Sequence, residues 1–197
     1  MFCRSSVIKV IALSLAVPLL FSSSGANAAK CKFQTDTVNV SSGEKIRWTK
    51  WDTFTLRIDK DHYVLLSGIS EGDRRFLGLR PHVRKLQPDR PTKTDLDSAL
   101  VIPEAGKLSI LLSDDSVLEL HTDKGTIGDS DFELFKSGKY SLNTDAIIKY
   151  SLNSYTMKTM AAQRIKQLKL ETVDGNIDFE FGGKGSSKHK EKLACIQ

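Results

Sequence analysis

Cysteine, histidine, proline and tryptophan are all scarce in this 197-residue chain, at three, four, five and two copies. Three cysteines without a Cys-x-x-Cys pair leave no zinc ribbon and no dithiol redox motif. Four isolated histidines, none within a His-Glu-x-x-His run, leave no metalloprotease helix. A Gly-rich phosphate loop and a Gly-x-Ser-x-Gly elbow are also missing, which removes P-loop nucleotide chemistry and the α/β-hydrolase arrangement. No internal repeat supports a solenoid or propeller. Asp174-Gly175-Asn176-Ile177-Asp178 begins like a calcium loop. However, Phe179 stands where that loop needs Gly, and Gly185 where it needs a bidentate Glu. No cofactor and no metal are therefore expected.

The first 28 residues have the layout of a cleaved secretory signal peptide. A positive start with Arg4 and Lys9 precedes a nearly unbroken apolar run from Val10 to Phe21, and Ala26-Asn27-Ala28 is a small-x-small cleavage site. The apolar run is too short to span a bilayer, so the mature protein is expected to carry no transmembrane segment. Removing the leader leaves 169 residues, enough for one domain. The address predicted is periplasmic or secreted.

Cys3 leaves with the leader. Cys31 and Cys195 remain near opposite ends of the mature chain, and in an oxidising compartment two such cysteines are predicted to form a disulfide. Closing a loop of nearly the whole chain is worth about 5 kcal/mol in the chain-entropy account.

Alternation of apolar and polar residues dominates the rest. It predicts a mainly β (α+β) fold, an antiparallel β-sandwich or partly open barrel of about nine to ten short strands with one helix at about 154–163. The clearest unit runs from Ala146 to Phe181. It reads as a strand over Ile147–Leu152, an Asn153 cap and a helix from Ser154. A strand rich in alternation follows from Ile165, and an Asp174-Gly175 turn leads into a return strand. Residues 29–181 are expected to form the domain. Residues 182–197, rich in Gly, Ser and Lys, are expected to be a flexible basic strap ending at Cys195.

Charge is unevenly distributed. The chain carries 29 basic and 24 acidic residues, and Arg74, Arg75, Arg80, Arg84, Lys85, Arg90 and Lys93 lie within twenty positions that hold one acid, Asp89. With Pro81, Pro88 and Pro91 in the same stretch, Arg80 to Thr94 is predicted to be an irregular surface excursion. A concentrated positive loop attracts anionic partners. For an exported protein those partners are an anionic envelope component, a glycan or an acidic protein, with nucleic acid not expected.

Two further constellations are candidates. Trp48 and Trp51 have opposite parity in a regular strand, which, unless a bulge intervenes, places one inside and the other outside; an exposed Trp51 is a platform for a sugar ring or a protein partner. Asp59, Asp61 and His62, and separately His121 and Asp123, sit at predicted strand ends, where an acid–base pair would serve an exported hydrolase. The leading expectation is a non-catalytic binding protein of the bacterial cell envelope or exterior. It would use Arg74, Arg75, Arg80, Arg84, Lys85, Arg90 and Trp51. The alternatives are that hydrolase, or a proteinaceous inhibitor or immunity-type protein presenting one protruding loop.

Overall fold

The computed structural model describes residues 31–53, 62–181, 183 and 185–197. The leader and the candidate residues Asp59 and Asp61 lie outside them. In chain order the strands before the first helix are β1 (Phe33–Val38), β2 (Lys45–Thr49), β3 (Asp52–Thr53), β4 (His62–Glu71) and β5 (Arg74–Gln87). Helix α1 (Lys93–Ser98) follows. Next come β6 (Val101–Ile102), β7 (Lys107–Leu112), β8 (Val117–His121), β9 (Thr126–Ile127), β10 (Asp129–Leu134), β11 (Tyr140–Asp145) and β12 (Ile148–Leu152). Helix α2 (Ser154–Ala162), β13 (Ile165–Thr172), β14 (Gly175–Glu180) and helix α3 (Lys188–Ala194) complete the order.

The fold is mainly antiparallel β. One sheet runs β1-β2-β4-β5-β11-β10, with β12 also on β5 and β3 on β4. A second sheet runs β14-β13-β7-β8. The period-two pattern of β7, in which Leu108, Ile110 and Leu112 are buried between half-buried neighbours, sends those side chains to one face. They meet Leu77, Leu79 and Val83 of β5 and Leu168 and Leu170 of β13 in a single hydrophobic cluster. Thr122 bridges Tyr150 and so links the two sheets on one side.

The unit from β12 to β14 forms as the sequence predicts. Asn153 Oδ1 accepts from the Thr156 amide at 2.8 Å, and Thr156 Oγ1 returns the favour to the Asn153 amide at 3.0 Å.

Three expectations need correction. The stretch from Ser67 to Asp73, whose Gly and Ser content predicts a loop, is strand as far as Glu71, with Ser67 Oγ donating to the Thr49 carbonyl at 2.8 Å and α3 packed against Gly68. The Arg80–Thr94 excursion is mostly strand, since β5 continues to Gln87 and only residues 88–92 are irregular before α1. Pro81 is tolerated in a central strand because its carbonyl accepts from Ala146 N at 3.4 Å, so its missing N–H faces the junction where β11 ends and β12 begins. The strap is not a loose tail: α3 buries His189 and Leu193, and Leu193 and Ile196 join the core cluster. The composition is polar, but the few apolar residues fall on one helical face.

The disulfide between Cys31 and Cys195 is present, with Cα atoms 5.7 Å apart. No helix among the described residues is long and apolar enough to cross a membrane.

Candidate functional site

Alternation along β5 divides its cations between two faces. Leu77, Leu79 and Val83 point to the core, while Phe76, Gly78, Arg80, His82 and Arg84 form the outer face. Arg80 and Arg84 alone among the seven expected ligand-binding residues line the cleft that opens there.

The other five are dispersed. Arg74, at the far end of the strand, lies 3.7 Å from Glu71 and 3.9 Å from Glu44. Arg75 turns its guanidinium onto the carbonyls of Gly72 and Arg74, at 2.7 and 3.1 Å. Lys85 is exposed on the opposite face from Arg84. Arg90 lies over the Phe132 ring at 5.4 Å. Trp51 and Trp48 are both on the outer face, 6.3 Å apart and edge to face, against the parity expectation. The reason is a break: Lys50 and Trp51 leave the strand between β2 and β3, which resets the alternation.

The cleft, about 610 Å³ in volume, is built by three adjacent strands. Register sets the facing rows: His82 opposes Asp145 and Arg84 opposes Asn143 across β5 and β11, while Asp145 opposes Asp129 and Asn143 opposes Asp131 across β11 and β10. Glu133 and Phe135 complete the wall. Asp145 is the hub. Its Oδ1 lies 3.2 Å from His82 Nδ1 and its Oδ2 accepts from Arg80 Nη2 at 3.5 Å. Stacking on Tyr63, at 4.4 Å between centroids, holds the His82 ring flat. Burial, with the Asp145 charge adding to it, pushes the Tyr63 phenol above its ordinary range. Arg84 is fixed from two sides, by Nε donating to Ser141 Oγ at 2.8 Å and by the Phe135 ring 4.8 Å beneath its guanidinium.

Two guanidinium groups face four carboxylates, so the lining carries an excess of acid. Asp129 and Asp145 stand directly opposite on adjacent strands, a like-charged pairing that sheets ordinarily disfavour. Sequence reading missed this half of the site. The signal was present in Asp129-x-Asp131-x-Glu133 and Asn143-x-Asp145, each a polar face at strand period, but only pairing sets them opposite the arginines.

The acid–base candidates fare differently. His121 is exposed and its Nδ1 donates to the Ala105 carbonyl at 3.1 Å, while Asp123 accepts from Ser151 at 3.5 Å. His62 pairs with Val83 in β4, and its two acidic neighbours in sequence fall outside the described residues. Among the described residues no three His, Cys, Asp or Glu side chains gather to hold a metal ion. Comparison with protein-family models, curated proteins and solved structures gives no match in any of the three.

Proposed function

We propose that this is an exported, non-catalytic binding protein that takes a glycan-bearing partner in the cleft between β5, β11 and β10. The observation that carries this is the facing of Arg80 and Arg84 by Asp129, Asp131, Asn143 and Asp145 within one open cleft. Paired planar donors and acceptors suit vicinal hydroxyls, which each offer one donor and two acceptor lone pairs. The surplus of carboxylates favours a neutral or zwitterionic sugar over a polyanion, which narrows the anionic-partner expectation. Like charges held opposite each other are a stability cost of the kind found at functional sites. The leader-like sequence of residues 1–28 and the Cys31–Cys195 bond support the exported address. The bridge between the sheets supports reading the described residues as one partly open barrel, with α3 packed on β4 and α2.

The contact between His82 and Asp145 favours a second reading, an exported hydrolase with His82 as general base. The serine of the lining is not free to serve as its nucleophile: Ser130 Oγ is held by the Leu96 carbonyl and Thr144 Oγ1, both at 2.9 Å.

A glycan array probed with labelled protein, followed by calorimetry on the hits, tests the binding reading. Arg84→Ala and Asp145→Asn should each weaken capture at least roughly tenfold, the scale of one lost charge-assisted hydrogen bond. Lys85→Ala, on the other face, should leave it unchanged. Equal losses in all three variants, or an array without hits, would reject it. Turnover of a captured glycan that His82→Gln abolishes would favour the hydrolase.

A further inference from the structure

The sheet has a second side at Trp51, and what holds it comes from the chain's end. Helix α3 lies on the core side of β4, so close to Gly68 that a Cβ there would sit 2.6 Å from the Lys192 carbonyl oxygen. From that position the nearly buried Lys192 side chain reaches through to the break between β2 and β3. Its ammonium donates to the Lys50 carbonyl at 2.8 Å and pairs with Asp52 at 2.5 Å. Lys50 and Asp52 flank Trp51. The indole of Trp51 in turn lies over Gly78 on the opposite face, where a Cβ would come within 3.1 Å of its Cη2. One turn beyond Lys192, Cys195 is tied to Cys31, and Lys50 N donates to the Lys32 carbonyl at 2.9 Å.

We infer that Lys192 is a positioning residue for Trp51. By tying both neighbours of the indole from the core side, it fixes the two-residue break and holds the ring over Gly78 and against Trp48. The disulfide seats the helix that carries Lys192. The pair is well placed for this role. A single cation satisfies a backbone carbonyl and a carboxylate where the strand ladder is interrupted, and removing it leaves both without that donor. The consequence for ligand capture rests on the glycan reading above, because Trp51 lies next along the same strand face from Arg80; the placement of Trp51 itself does not.

The test uses the full mature chain with Trp48→Phe, so that Trp51 is the sole tryptophan reporter. In Lys192→Met the acrylamide quenching constant of Trp51 should rise about two-fold or more and its emission shift to the red, as when a local anchor is released. The far-ultraviolet dichroism of the sheets should stay the same. Lys192→Arg should recover most of the native value, and opening the disulfide with dithiothreitol should move emission in the same direction as Lys192→Met. Should Lys192→Met fail to fold, Asp52→Asn, which removes only the carboxylate at the surface, gives the same shift at smaller amplitude. Unchanged quenching in a folded Lys192→Met or Asp52→Asn protein would overturn the inference. Failure of glycan binding with the fluorescence response intact would overturn only the glycan reading.

Discussion

One strand face presents two surfaces that have little in common. At the Phe76–Gly78 end, β5 is sealed: Trp51 covers Gly78, Trp48 meets Trp51, and the Lys149 ammonium lies 5.0 Å from the Trp48 ring and 5.8 Å from Phe76 while pairing with Glu71. At the Arg80–Arg84 end the same face is open, and its neighbours are carboxylates. Both halves belong to one strand. The difference comes from what the adjacent chain lays across the sheet: the Trp51 indole, itself against Trp48, over a residue without a side chain in one case, and a mostly polar wall from β11 and β10 that ends at Phe135 in the other. Packing therefore closes one end of the face and leaves the other open.

The sharpest break in that contrast compares neighbours on opposite faces. Leu79→Ala, in the fully buried core, should cost about 2–5 kcal/mol in urea unfolding. Arg80→Ala beside it, whose ion pair with Asp145 is more than a third exposed at the arginine, should cost no more than about 1 kcal/mol. Next in size is Gly78→Ala. An added Cβ meets Ile69 Cδ1 at 2.8 Å, so overpacking should cost about 1–3 kcal/mol and raise the exposure of Trp51 to quencher. A comparable methyl-sized addition in the open half should be silent.

Asp129→Asn sharpens the comparison with an effect of opposite sign. Relieving the repulsion with Asp145 should stabilise the fold by about 0.2–1 kcal/mol while weakening glycan capture. Loss of both stability and capture would mean that Asp129 is structural.

The smallest effect concerns pH and the terminal helix. His189 is fully buried and its Nε2 donates to the carbonyls of Met160 and Gln163, at 2.7 and 3.1 Å. Burial pushes its pKa below the ordinary 6.5 despite those bonds. The unfolded chain then binds the proton more readily. Stability is complete above pH about 6.5 and falls as the pH drops below it. The melting temperature should decline on acidification, and His189→Gln, which keeps a donor for Met160, should flatten that decline.

Much of the architecture was legible because it is local. The Asn153 cap before Ser154 announces a helix start, and the Asp174-Gly175 pair announces a hairpin, without reference to distant chain. The basic stretch misled for an equally physical reason. Three prolines and five cations between Arg80 and Thr94 suggest a loop when taken alone. Yet Pro81 meets a gap between β11 and β12, and the paired strand puts Arg80 and Arg84 on one face and Lys85 on the other. Likewise the parity of Trp48 and Trp51 fails at a two-residue break that no local preference marks.

By itself, then, the sequence determined the β-rich character and the helix after Asn153 and pointed to a bond between Cys31 and Cys195, because period and capping act over short range and those two cysteines flank the β-rich stretch. Tertiary structure alone decided that Asp145, sixty-five residues from Arg80, would stand beside it, and that Lys192 would reach Lys50 across 142 residues. Those meetings depend on strand register and helix docking, which follow from how the whole core closes and are not carried by any one segment.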